Sequence, residues 1–501
     1  MGTFDLRLRS EILRREGTLT PATPGTSAVS GTDVLLKEVY GMNDLGRLGT
    51  YPNGKLGLSF STTSCNNGDV NVPWHAPMAE DHPFIGLMMS RLSNGRLEMI
   101  GKSWLKHGFY ALTNDQCGLG CIGGSGGGYL MVGCSDTYSI SNNGSQYYLG
   151  GRDEVNPHTC VWHCLGSWFD GTPVDCVRSN DGIGLDGVAH RLEVFENDLL
   201  VPGARYFYEG VYYVMDDVDP VNNFMWREVV PSWTGSAWNF TDVGGGLYGT
   251  PGLLLDSWGD KRHSVQVAAD DGFVVIAEKV TDLGGGSWHY EYALYNQSSD
   301  RGVRTLSIPI GTVAVSNVGF RDVDRNGANQ WTFDAGSGLA TWSTVAHPGA
   351  SNPLVYQTLY NFCFDAPAPP QAAQARLGLY KPGTGDVVFV EASAPEAGAT
   401  AVMDPVLPAQ ALTLYPCEPN PFARGTQVSF ALGRDRAVRL IVVDVSGRLV
   451  KTLLDGTAPS GRTALRWDGR DNAGADVASG IYFFRLESAK EARTTNGILL
   501  R

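Results

Sequence analysis

Trp288-His289-Tyr290-Glu291-Tyr292-Ala293-Leu294-Tyr295 places Trp288, Tyr290, Tyr292 and Leu294 on one face of an extended chain. Successive side chains of a strand point to opposite faces, so a period of two marks a strand rather than a helix. The same alternation recurs on both sides of it, at 264–268 and 273–280 before and at 313–321, 354–364 and 387–392 after. Together these segments predict a β-sandwich domain over residues 251–395. The Ala/Pro tract 366–374 reads as a linker or as a loop before a last strand.

Upstream, strands are expected at 56–61, 84–92, 96–100, 190–195 and 206–215. Ser93-Asn94-Gly95 between two of them is a hairpin signal. The tract between Asn114 and Asp186 is dense in Gly, Cys, Asn and Ser, and reads as long loops, where binding residues are most often carried. These features define a β-rich domain over 33–250 with Cys/Gly-rich loops. Residues 1–32 read as a flexible lead-in and 396–411 as a linker. A further β domain is expected over 412–501.

Composition agrees with strands and turns. Among 501 residues there are 63 glycines, 43% are hydrophobic and 18% charged, which supplies packed cores and opposes global disorder. The net charge of -14 repels nucleic acid and anionic lipid and attracts divalent cations. No apolar run reaches the roughly 18 residues of a membrane span. Met1 to Thr18 also lacks the apolar core of an export signal, so for an exported chain either the sequence starts after that signal, the preferred reading, or its start is misplaced.

Cysteine use is uneven. Cys65, Cys117, Cys121, Cys134, Cys160, Cys164 and Cys176 cluster in the loop-rich half, whereas Cys363 and Cys417 stand apart. In an exported protein such clustering reads as a disulfide framework; in a cytosolic one it would suggest zinc. The odd total leaves at least one thiol unpaired or shared between chains.

At the C-terminus the motifs come in order: Tyr415-Pro416-Cys417-Glu418-Pro419-Asn420-Pro421-Phe422, then Val428-Ser429-Phe430-Ala431-Leu432, then 438–447 with Arg448. Trp467-Asp468-Gly469-Arg470-Asp471 with Gly474 and Ala478-Ser479-Gly480-Ile481-Tyr482-Phe483 complete the run. This region resembles the type IX secretion C-terminal sorting domain and the related immunoglobulin-like domain of flagellar hook-capping proteins. The resemblance implies an immunoglobulin-like sorting and anchoring domain over 412–501, with its own aromatic core at Phe430, Trp467, Tyr482 and Phe483. It implies export machinery and the cell surface as partners. Cys417 departs from that pattern. Thr62-Thr63-Ser64-Cys65, Ser103-Trp104-Leu105-Lys106-His107-Gly108, Gly133-Cys134-Ser135-Asp136 and Tyr360-Asn361-Phe362 resemble stretches of secreted proteins of environmental bacteria that carry no assigned activity. The fold class expected is therefore all-β: multidomain β-sandwiches with long disulfide-stapled loops and a C-terminal immunoglobulin-like β-sandwich.

Five constellations could carry chemistry. Asp322, Asp324 and Asn326, followed by Gly327, match the front of a calcium loop, although Phe333 stands where the closing acid is expected. A polar turn explains the same residues. Asp216, Asp217 and Asp219 with Asn222 and Asn223 form a looser acidic cluster. His107, His158 and His163, with the nearby cysteines, offer soft ligands for a transition metal, against disulfides and surface histidines. Cys134 beside Asp136, with His107 upstream, is a conceivable nucleophile but fits no nucleophile elbow, and a disulfide at Cys134 would abolish it. Trp162, Trp168, Trp226, Trp233 and Trp238 could stack on sugars, although burial is the commoner fate of tryptophan. The first reading is a secreted or cell-surface bacterial protein that binds or assembles, with calcium as a structural ion. The alternatives are a secreted polysaccharide-active enzyme and a His/Cys transition-metal protein.

Overall fold

A computed structural model describes residues 29–499 except 76–77, 125, 245–247, 346–351, 384, 396–411, 416, 418–421, 423–424, 433, 445–446, 459–460 and 489–490. The expected lead-in up to residue 28 and the linker 396–411 lie outside the described residues. The chain is all-β and divides into two compact units, Met1–Gly398 and Ala399–Arg501.

In the larger unit the quoted segment lies in the strand Ser287–Asn296. Tyr290, Tyr292 and Leu294 are fully buried on one face, and the tyrosine hydroxyls donate to Ala368 O at 2.8 Å and Ser393 O at 2.7 Å. That face belongs to a sandwich of two five-stranded sheets. The first runs Lys261–Gln266, Phe273–Gly284, Ser287–Asn296, Thr358–Ala366, Ser316–Arg321. The second runs Thr332–Asp334, Leu339–Ser343, Val303–Pro309, Pro370–Leu379, Val387–Pro395. Trp342, Phe362, Phe364, Leu306 and Leu377 fill the space between them. Part of the Ala/Pro tract is a paired strand, Pro370–Leu379, whose small residues suit an edge-near position covered by Val387–Pro395.

The opposite face of the same strand is also covered. Ala293 and Tyr295 join Phe84, Met88, Leu97, Met99 and Phe207 of the N-terminal half in one core. The expected domains 33–250 and 251–395 therefore lie in one compact unit, because a single sheet buries its two faces against different partners.

The N-terminal half is a sheet whose main path runs Val34–Leu48, Lys55–Asn66, Leu192–Phe195, Arg96–Lys102, Phe84–Ser93, Arg205–Tyr213, Phe224–Trp233, Trp238–Asp242. It curls until the first strand approaches the last, where Gly41 N donates to Asp242 Oδ2 at 3.0 Å. Phe60, Leu87, Met89, Tyr208 and Trp238 fill the hollow so formed. The predicted hairpin is present: Ser93 pairs with Arg96 across Asn94 (φ 51°) and Gly95 (φ 82°), the left-handed pair a two-residue turn requires. The first strand, Val34–Leu48, escapes simple alternation because its register shifts three times against Lys55–Asn66.

Between the two halves runs a buried ionic seam. Asp198, 1% exposed, accepts from Arg91 at 2.8 Å, Arg321 at 3.3 Å and Arg325. Arg91 also pairs with Glu98, and Arg96 grips Glu291 with two nitrogens at 2.8 and 2.7 Å.

The smaller unit is a sandwich of Leu412–Leu414, Thr426–Leu432 and Gly461–Trp467 against Leu449–Ala458, Arg436–Val443, Gly480–Ser488 and Glu491–Leu499. Phe430, Trp467 and Tyr482 are buried as expected. Phe483 is half-buried, and Phe484 takes its place in the core, since only every second residue after Tyr482 points inward. Gly447 (φ 80°) closes the turn after Arg436–Val443, donating to Asp444 O at 2.9 Å.

Asp198→Ala removes the buried anion shared by three guanidinium groups, leaving Glu98 to answer Arg91 and Arg321, and should destabilise the larger unit by about 3 kcal/mol in calorimetry. A change below about 0.5 kcal/mol would show that the seam contributes nothing.

Candidate functional site

The loop tract 114–186 is held by three disulfides: Cys65–Cys117, Cys121–Cys134 and Cys164–Cys176, with Cα–Cα distances of 6.3, 4.3 and 5.1 Å. Six of the seven expected cysteines are paired. Cys160 is a buried free thiol, pushed up to about 12 by burial and by the charges of Asp217 and Asp216. With Cys134 bonded to Cys121, the conceivable Cys134 nucleophile is removed.

The three expected transition-metal histidines are not brought together. Buried His107 sits in a wall of Phe84, Trp162 and Phe169, and its Nδ1 is 2.8 Å from His82 Nε2. Burial holds His82 down to about 3 and His107 well below its usual value, so both rings are neutral. Gly150 permits this arrangement, since a Cβ there would stand 2.4 Å from His107 Nε2. His158 is exposed, and His163, 72% exposed, faces Glu80 at 3.3 Å. Among the described residues, no three-ligand grouping includes any of the three histidines.

Asp322, Asp324 and Asn326 form a tight turn after the strand Ser316–Arg321. Asp322 is buried and accepts from Arg325 N at 3.1 Å, Gln330 Nε2 at 3.2 Å and Asn352 Nδ2 at 2.6 Å. Asp324 accepts from Asn326 N at 2.8 Å and Asn329 Nδ2 at 2.9 Å, while Asn329 Oδ1 has no partner. Burial first, and the neighbouring Asp324, raise the Asp322 carboxyl above the usual range.

One cluster was not anticipated. His289, Glu291, Cys363 and Asp365 are cross-strand neighbours, with Glu291 opposite Cys363 and His289 opposite Asp365. His289 Nδ1 is 2.6 Å from Asp365 Oδ1, and Nε2 is 3.4 Å from Glu291 Oε2. Glu291, and then Asp365, raise the imidazole's pKa, while burial and Glu291 raise that of the Cys363 thiol. His289, Glu291 and Cys363 have donor spacing that would suit a metal ion. Arg96 supplies a cation to the same donors, 2.7 Å from Glu291 Oε2 and 3.0 Å from Cys363 Sγ. Arg96 and the imidazole answer the two carboxylates, and burial together with Glu291 favours the Cys363 thiol over its thiolate. The signal was available in the sequence: His289/Glu291 and Cys363/Asp365 are polar pairs at strand period on otherwise apolar strands.

A cleft of about 270 Å³ opens over the strands Arg205–Tyr213 and Phe224–Trp233. Trp226, Trp258, Phe207 and Tyr248 contribute its rings, Tyr248 being 64% exposed. Phe207 meets Trp226 edge to face at 5.6 Å, and Trp258 Nε1 is fixed on Gly95 O at 2.8 Å. At its rim Arg205 holds Glu228 with two bonds of 2.7 and 2.6 Å. Trp226 was among the expected sugar-stacking residues. Trp162 and Trp238 are buried instead, and Trp233 stacks on Tyr51 at 4.6 Å.

Residues 421–492 match the family model of the FlgD Ig-like domain. No curated protein matches the chain. Among solved structures the chain is similar to dimeric latent PorU from Porphyromonas gingivalis, at 10% identity over 94% of this chain and 34% of that one, with a TM-score of 0.19. It thus spans about a third of that PorU chain. PorZ, a surface component of the type-IX secretion system of the same organism, is similar at 10% identity over 92% and 87%, with a TM-score of 0.14. The major pilin RrgB from Streptococcus pneumoniae is similar at 12% identity over 62% and 51%, with a TM-score of 0.18. Scores this low carry no inference about fold or activity. No helix among the described residues is long and apolar enough to cross a membrane.

Titration of thiols in the denatured, unreduced protein should find three, from Cys160, Cys363 and Cys417, rising to nine after reduction. Five or more before reduction would overturn the pairing. Replacing Cys65 and Cys117 together by alanine should lower stability by about 2–4 kcal/mol.

Proposed function

We propose that this is a secreted or cell-surface β-protein with a binding or assembly role. Its C-terminal Ig-like unit serves as the sorting and anchoring module, with export machinery and the cell surface as partners. The observation that carries the reading is the set of three disulfides between Cys65 and Cys176, because such bonds persist in oxidising compartments. The FlgD Ig-like match and the compactness of Ala399–Arg501 support a detachable terminal module. The turn Asp322, Asp324, Asn326 is its candidate calcium loop, supported by three oxygen-bearing side chains at alternate positions and the unpartnered Asn329 oxygen.

A second reading, saccharide binding, is favoured by the cleft. Sugar rings present flat apolar faces that stack on aromatic rings, and their hydroxyls pair with groups such as Arg205 and Glu228.

Deleting 412–501 should leave the thermal transition of the larger unit within a few degrees of its original value while abolishing export or surface retention in a type IX-competent host. Collapse of the transition would show the terminal unit to be a structural partner, and unchanged localisation would refute the sorting role. For the second reading, an array of neutral polysaccharides should contain one that is retained, and Trp226→Ala should weaken that retention about tenfold, roughly 1.4 kcal/mol. No retention by the wild type, or equal retention by the variant, would discard it.

A further inference from the structure

We propose that His289, Glu291 and Cys363 form a zinc site, and that Arg96 holds the place of its cation in the metal-free protein. The site follows from strand register. Ser287–Asn296 and Thr358–Ala366 are antiparallel neighbours, with His289 opposite Asp365 and Glu291 opposite Cys363. Side chains two apart on a strand share a face, so all four project to the side away from Tyr290 and Tyr292.

Three different donors converge there. A ring nitrogen of His289, a carboxylate oxygen of Glu291 and Cys363 Sγ all lie within 4.8 Å of one another. His289 Nε2 and Glu291 Oε2 are 3.4 Å apart. Two donors each about 2.05 Å from a tetrahedral ion stand about 3.3 Å from one another, so this pair already has the spacing of zinc ligands. The other three-donor grouping among the described residues is Glu80 with Cys164 and Cys176, whose sulfurs are tied to each other in a disulfide.

The position of Arg96 is a second observation. Its Nη2 lies 2.7 Å from Glu291 Oε2 and 3.0 Å from Cys363 Sγ, so a positive group stands between two of the donors. Its Nη1 is 3.7 Å from Glu98 Oε1, and the side chain is partly exposed. A swing toward Glu98 keeps the guanidinium paired and frees the position for an ion.

The surroundings suit a ligating imidazole. Asp365 Oδ1 lies 2.6 Å from His289 Nδ1, which leaves Nε2 turned to Glu291, and Asn317 Nδ2 in turn donates to Asp365 Oδ2. A carboxylate on the far nitrogen is the usual means of orienting a metal-bound histidine. Gly319 makes room for the sulfur, since a Cβ there would stand 2.6 Å from Cys363 Sγ.

The donor set selects the ion. Nitrogen, oxygen and a thiolate together suit zinc, whereas calcium and magnesium take oxygen. Binding forms Zn–N, Zn–O and Zn–S bonds, releases the Cys363 proton to solvent and leaves Nδ1–H on Asp365. Glu291 and the thiolate then match the two charges of the ion, and water takes the fourth position.

The test uses the full chain, stripped with chelator and titrated with zinc by calorimetry, with cobalt as a coloured substitute. Zinc should bind, and cobalt should give the sulfur-to-metal charge-transfer band of a thiolate complex. Cys363→Ser, nearly isosteric, should abolish that band, and Asp365→Asn should weaken zinc binding about tenfold or more. Arg96→Gln removes the competing cation. It should melt lower than wild type in chelator, bind zinc about fivefold more tightly, the worth of roughly one partly exposed ion pair, and regain the lost stability in zinc. The proposal is overturned by a wild type that binds no zinc, by a cobalt band and zinc affinity that Cys363→Ser leaves unchanged, or by an Arg96→Gln variant that binds zinc no more tightly than wild type.

Discussion

The larger unit depends on charges that have been taken out of water between two sheets. Asp198, Glu98 and Glu291 meet Arg91, Arg96, Arg321 and Arg325 there, and the residues come from both halves of the chain. Desolvating such groups costs several kcal/mol each, and their mutual attraction offsets this only in good geometry. The apolar core beside them, from Phe84 and Met99 to Ala293 and Tyr295, supplies the attraction between the halves. The seam then fixes how they meet, because any slip would leave a buried charge without its partner.

The same electrostatic criterion separates the unit's polar clusters from one another. At Cys363 the covalently tethered Arg96 and the raised imidazole answer Glu291 and Asp365, which makes a clasp across neighbouring strands and Arg96–Lys102. Near Asp33 and Asp217 no cation answers among the described residues, and amide nitrogens donate to the carboxylates while their oxygens have no partner. His82 and His107 resolve the matter a third way, by remaining neutral inside an aromatic box.

These clusters sit on a rigid frame with variable surroundings. The disulfides brace a tract that has little regular structure of its own, so its loops are held by covalent bonds and by bonds to side chains rather than by sheet ladders. The aromatic cleft, in contrast, is built on the sheet itself, with Phe207 and Trp226 facing each other from adjacent strands. Loops and sheet offer different kinds of recognition surface on one body.

The sequence by itself determined the strand content, the hairpin at Asn94-Gly95, the disulfide-rich loops and the terminal Ig-like unit. Each rests on local chemistry: side-chain alternation, left-handed glycine turns, cysteine density and ordered motifs. Alternation also corrects one expectation: a period of two from Tyr482 places Phe484, not Phe483, in the terminal core. Tertiary structure alone decided which polar residues meet. Cys160 stayed free while its neighbours paired, His107 found His82 and not His158, and Cys363 met Arg96 from a strand 267 residues away. It also decided that Ser287–Asn296 is covered on both faces, joining two expected domains into one unit. The reason is physical: a strand's period fixes which residues share a face, and only the packing of sheets fixes what that face meets.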